Sequence, residues 1–162
     1  MHGINVWASL SLEEIVPALE EGLLLPFLIA EMLCILHKFK NEREPSHVLR
    51  LHAYARKNGW ESHKLIGNEL VSTLAYIGTM HAAQEMFDML AYRSASSWNA
   101  MLMGYIKCGK PENALSLYQL MQKDSTVSLS GSLFVALIKA CENLKDLKNG
   151  CELHAELARI GL

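Results

Sequence analysis

The chain has 162 residues, 51% apolar and 20% charged, and its 15 Lys and Arg against 17 Asp and Glu leave a formal charge of -2. That balance suits one globular unit or one array, and excludes a disordered tail, a collagen-like chain and a disulfide miniprotein. A chain-wide basic field is excluded too, so nucleic-acid binding would need a local patch or a few contacts.

Ser11-Leu12-Glu13-Glu14 has the form of a capping box opening a helix that Gly22 can close, with Pro17 kinking it or shifting its start. No basic segment precedes an apolar core there, and Glu13, Glu14, Glu20 and Glu21 come before the first arginine, Arg43. Neither a secretory signal nor a transit peptide has that composition. The most apolar stretch, Leu23 to Leu36, is broken by Pro26 and Glu31. It is about one third too short to cross a bilayer and reads as a buried helix.

From there apolar residues recur at i, i+3, i+4 and i+7, with no alternating run of strand type. The pattern predicts helices over 29–40 and 45–57, 65–76 and 80–90, 97–107 and 111–122, and 131–142 and 147–160. Pro45 and Pro111 suit a first helical turn, where the missing N–H costs nothing. Gly59, Gly78, Gly109 and Gly161 suit helix stops. The short connections favour antiparallel neighbours, hence an all-α stack of helical hairpins.

The hairpins repeat. Shifting the chain by 31 residues places Asn68 on Asn99, Leu70 on Met101, Val71 on Leu102, Gly78 on Gly109, Ala83 on Ala114 and Phe87 on Tyr118. Shifting it by 102 places Leu51-His52-Ala53 on Leu153-His154-Ala155, and Gly59 on Gly161. Units of this size cannot bury their apolar face alone and must stack.

The run Ser97-Trp98-Asn99-Ala100-Met101-Leu102-Met103-Gly104-Tyr105, continued by Gly109-Lys110-Pro111-Glu112-Asn113-Ala114-Leu115, resembles a plant pentatricopeptide repeat. So does Gly67-Asn68-Glu69-Leu70-Val71. Leu137-Ile138-Lys139-Ala140-Cys141, with Gly150 and Leu153-His154-Ala155, resembles the long variant of that repeat. The order resembles the mixed-length subclass of land-plant organelle proteins: long at 29–63, short at 64–94, standard at 95–130 and a truncated long unit at 131–162. Residues 1–28 would then hold an eroded earlier unit. The first long unit departs from the pattern, with Phe39 for the usual Cys and Val48 for the usual Gly. The deaminase-like domain that many relatives carry is missing, so the resemblance is to a fragment or a reduced member.

The resemblance implies a right-handed α-solenoid that binds single-stranded RNA, one base per repeat, each read by two or three side chains. The readers would be the fifth and last residues of a unit: Asn68 with Ser94, and Asn99 with Ser130. A short polar side chain on the first turn of the inner helix can reach a Watson–Crick edge, and an amide offers both donors and an acceptor. An Asn/Ser combination leans towards cytosine over uracil. Leu65, the second residue of its unit, would pack on the base, whereas Ser96 would not. Leu33 and Val135 occupy the reading position of the long units and would act as spacers. The implied role is organelle RNA processing or C-to-U editing in a mitochondrion or chloroplast. The partners would be single-stranded RNA and other RNA-editing or repeat proteins, with no cofactor, membrane or small-molecule substrate. A protein-interaction scaffold or a non-functional fragment is the alternative.

Other readings of the same residues stay open. Asn68 and Asn99 could cap helices. Lys107, Lys110, Lys123 and Lys139 could meet phosphates along groove edges or form a solvated face. Cys34-x-x-His37 and Cys151-x-x-His154 place thiol and imidazole on one helix face, but occupy different repeat positions. Cys141 and Cys108 align with Phe39 and Ile77, which no ligand position would hold, so these read as core thiols rather than metal ligands. His52 and His154 should pack or bond between helices. Met80, Met86, Met89, Met101, Met103, Met121 and Trp98 read as core. No catalytic constellation is placed well enough to imply an enzyme.

Overall fold

A computed structural model describes residues 29–42, 44–124 and 129–161, together with Glu14. Most of the expected helix over 11–22 lies outside them, as do residues 125–128. Among the described residues there are eight α-helices, one 3-10 turn and no strand. None of the helices is long and apolar enough to cross a membrane. The chain divides into two compact units at Tyr92/Arg93.

The first unit holds α1 (Ile29–Glu42), α2 (Pro45–Lys57), the 3-10 turn Trp60–Ser62, α3 (Lys64–Tyr76) and α4 (Met80–Met89). On α1 the buried residues are Met32, Ile35, Leu36 and Phe39, a stripe at helical spacing. Val48, Leu51 and Ala55 face inward from α2, and Ala83, Met86 and Phe87 from α4. Helix α3 is central. It packs on α1, α2 and α4, and Ile66 through Ala75 are buried apart from half-buried Glu69. Gly67 marks the closest approach. A Cβ there would strike the Glu61 carbonyl oxygen and come within 2.7 Å of Leu90 Cδ2.

The second unit holds α5 (Ala95–Lys107), α6 (Pro111–Asp124), α7 (Gly131–Leu144) and α8 (Leu147–Arg159). Helix α5 pairs with α6 and α7 with α8, while α7 also packs on both α5 and α6. Trp98, Met101, Leu102 and Tyr105 meet Ala114, Tyr118 and Met121, then Leu133, Phe134, Leu137 and Cys141, as a buried core. Helix α8 is strongly amphipathic and buries only Asn149 and Leu153. It is tied to α6 by Gln119 Nε2 donating to Asn149 Oδ1 at 3.0 Å. Asp146 caps α8, accepting from the Asn149 backbone N–H at 3.1 Å and from Asn149 Nδ2 at 2.6 Å. Those bonds hold its carboxyl below the usual range.

Helices α3, α5 and α7 stop by one device. The N–H groups of Thr79, Lys110 and Asp146 reach back to the carbonyls of Leu74, Tyr105 and Cys141 at 3.0, 2.9 and 2.9 Å. The residue before each donor is left-handed, as this kind of helix stop requires. It is Gly78 (φ 89), Gly109 (φ 69) and Lys145 (φ 56). Lys145 therefore sits where glycine costs least.

Several side chains depart from the sequence reading. Of the four cysteines only Cys141 is buried, whereas Cys34, Cys108 and Cys151 are exposed. Cys34 lies off the stripe Met32/Ile35/Leu36/Phe39, Cys108 caps the end of α5, and Cys151 lies off the thin buried face of α8. Met89 is half-exposed and His154 exposed, while Met80, Met86, Met101, Met121 and Trp98 are buried.

Candidate nucleic-acid interface

Helices α1, α3, α5 and α7 begin at 29, 64, 95 and 131, so Leu33, Asn68, Asn99 and Val135 are each the fifth residue of a helix. The two asparagines are not caps. Helix α3 is capped by His63, whose Nδ1 accepts from the Ile66 N–H at 3.5 Å. Helix α5 is capped by Ser94, whose Oγ accepts from the Ser97 N–H at 3.1 Å. That disposes of the capping reading for both amides.

In the first unit Asn68 is 7% exposed. Its Nδ2 donates to the Lys64 carbonyl at 2.7 Å and to the Tyr92 carbonyl at 3.0 Å. The amide nitrogen thus ties the first turn of α3 to the segment that follows α4. Leu65 stands 55% exposed on the same turn, and Tyr92 is 53% exposed. Lys64 Nζ lies over the Tyr92 ring, 4.1 Å from its centroid. The sequence reading missed Lys64 and Tyr92. The available signal was an aromatic two residues before Ser94, paired with a cation one residue before Leu65.

In the second unit Asn99 is half-buried, and its Oδ1 is buried with no hydrogen-bond partner among the described residues. Ser96 is exposed beside it. Ser130 immediately precedes α7, and its carbonyl accepts from the Leu133 and Phe134 N–H groups at 3.0 and 3.1 Å. Its hydroxyl makes no cap and lies 3.2 Å from Ser132 Oγ. Lys107 and Lys110 are exposed on either side of the α5–α6 turn, Lys123 on the last turn of α6 and Lys139 on α7. Val135 is half-exposed, and like partly buried Leu33 it has no polar group to offer a base.

The units also differ in charge. Residues 1–92 carry 7 Lys and Arg against 11 Asp and Glu, and residues 93–162 carry 8 against 6. The local excess of cations is therefore in the second unit, where all four candidate lysines sit. Burial lowers the pKa of His52 on α2, opposed by Glu61, and its Nε2 has no hydrogen-bond partner among the described residues. Burial pushes up the Cys141 thiol. Cys141, Cys151 and His154 line a cleft along α7–α8. Among the described residues no three His, Cys, Asp or Glu side chains form a group that could hold a metal ion.

With that geometry in place, comparison with known proteins is informative. Residues 96–125 match the PPR repeat model. The chain is 30% identical over 128 residues to the Arabidopsis thaliana pentatricopeptide repeat-containing protein At4g15720, covering 79% of this chain and 21% of that protein. It is 38% identical over 96 residues to the chloroplastic At3g63370 of the same plant, covering 59% of this chain and 10% of the relative. The mitochondrial At1g06140 is 33% identical over 104 residues, covering 64% and 18%.

The chain carries a PPR repeat and is a homologue of plant pentatricopeptide repeat proteins. It spans about a fifth or less of the length of these relatives. The crystal structure of the pentatricopeptide repeat protein PPR10 from maize superposes with a TM-score of 0.65 at 20% identity, covering 93% of this chain and 22% of that one. That likeness shows the fold, the all-α solenoid class expected from the repeats.

Proposed function

We propose that the chain binds single-stranded RNA sequence-specifically and non-catalytically, in organelle RNA processing or C-to-U editing. One observation carries the reading. In a homologue of pentatricopeptide repeat proteins, two equivalent amides, Asn68 and Asn99, stand at the fifth position of helices that open hairpins. Asn68 with Ser94 and Asn99 with Ser130 read one base each, Asn68 by releasing the Lys64 or Tyr92 carbonyl that its nitrogen holds in the free chain, and Leu65 packs on the first. Leu33 and Val135 space the readers. Each reading contact discriminates by about 1–3 kcal/mol if it behaves like other base-edge recognition. Lys107, Lys110, Lys123 and Lys139 meet phosphates, which makes binding salt-dependent. Relatives named chloroplastic and mitochondrial support an organelle as the site of action. The mixed-length order of units at 29–63, 64–94, 95–130 and 131–162 belongs to the same proposal, as do partner proteins of the editing or repeat type.

The test is binding of the full chain to a randomised single-stranded RNA pool at low salt, with and without Asn99→Ala. Selective binding that the variant relaxes supports base reading. Absence of RNA binding at any salt, with a stable protein complex recovered from extract, would favour an interaction scaffold.

A further inference from the structure

We propose that Tyr92 and Lys64 form a stacking platform that holds one nucleotide of the bound strand beside Asn68. This inference rests on the RNA reading above. Tyr92 is anchored through its backbone and not through its ring. Its carbonyl accepts from Asn68 Nδ2 at 3.0 Å, while the side chain remains 53% exposed. A large aromatic face held this way loses little freedom on binding, which favours it as a contact surface. Every base presents a π-face that stacks on an aromatic side chain without regard to sequence.

Lys64 supplies the second half. It is the first residue of α3, where the helix dipole disfavours a cation, and its Nζ lies 4.1 Å from the ring centroid. The negative face of the ring offsets that cost. A phosphate would offset it further. The flexible stem lets the ammonium swing from ring to phosphate as a base takes its place. Leu65, 55% exposed on the same turn, adds apolar surface. A planar aromatic ligand carrying an anion matches ring, cation and apolar edge together, and a nucleotide is such a ligand. The α5–α6 hairpin has no equivalent, because Lys64, Leu65 and Tyr92 correspond there to Ala95, Ser96 and Lys123.

The experiment titrates the full chain into a fluorescent randomised single-stranded RNA pool, read by anisotropy across a salt series. Tyr92→Leu keeps bulk but removes the aromatic face, and should weaken binding about tenfold, the value of one base stack. Tyr92→Phe should rescue it. Lys64→Ala should reduce the salt slope by about 0.7, one phosphate contact on a single strand. Thermal midpoints should stay with the wild type, since both side chains are exposed. Wild-type RNA binding that Tyr92→Leu leaves intact would overturn the platform while leaving base reading in place. So would an equal loss in Tyr92→Phe. A wild-type chain that binds no RNA at any salt would overturn both.

Discussion

Hairpins α3–α4 and α5–α6 carry the same amide at the same helical position in different surroundings. Asn68 is a tether, its nitrogen shared between two backbone carbonyls, one of them 24 residues away. For Asn99, among the described residues, which leave out 125–128 after α6, the buried side-chain oxygen has no partner. Around Asn68 lie an exposed leucine, a tyrosine and a lysine over the ring. Around Asn99 lie exposed Ser96 and a cap, Ser94, already engaged with Ser97. The same repeat position therefore ties the first turn of α3 to Tyr92, and at α5 holds an amide oxygen unmatched among the described residues.

The largest expected effect tests the crowding that makes the first hairpin rigid. Gly67→Ala should lose about 3 kcal/mol of stability in denaturant unfolding, because the added methyl meets backbone at Glu61 as well as Leu90. A loss within experimental error would mean that the 3-10 turn is not pressed on α3. Next, Asn68→Ala should lose about 2 kcal/mol, leaving two carbonyls without this donor. Asn99→Ala should stay within about 0.5 kcal/mol of the wild type or gain slightly, since its buried oxygen accepts no hydrogen bond among the described residues. Equal losses at the two positions would erase the contrast.

Smaller effects probe each unit alone. Lys145→Gly should stabilise the second unit by about 1 kcal/mol, because the left-handed φ of 56° strains any residue with a Cβ. In the first unit, His52 should make stability fall as pH drops. Its folded-state pKa is lowered from 6.5, mainly by burial. Above 6.5 both states hold neutral imidazole. Below it the unfolded chain binds the proton first, so stability declines until pH passes the folded value. Melting followed between pH 8 and 5, with His52→Gln flattening part of the slope, checks the sign. Gly150→Cys should crosslink to Cys141 on mild oxidation, since a Cβ at position 150 lies 3.6 Å from Cys141 Cβ, within the span that disulfides bridge.

Helix boundaries were legible in the sequence because prolines and glycines announce them. Pro45 and Pro111 stand at the first residue of α2 and α6, and Gly78 and Gly109 supply left-handed stops. The stop at Lys145 was not legible, since lysine carries no preference for that conformation and only the completed turn imposes it. The fifth-position asparagines were visible by repeat alignment. The bond at Asn68 was not, because the Tyr92 carbonyl reaches its amide only after α4 has folded back. Exposure of Cys108 was equally hidden. Aligning a cysteine with an apolar residue elsewhere says nothing of how far each helix turns it from the core.

The most direct test of the central claim is sequencing of RNA retained by the chain from a randomised pool, repeated with Asn99→Ala. The account predicts a short enriched motif in which one nucleotide becomes indifferent in the variant while its neighbours keep their preference. An unenriched pool, or a motif identical in both proteins, would contradict it.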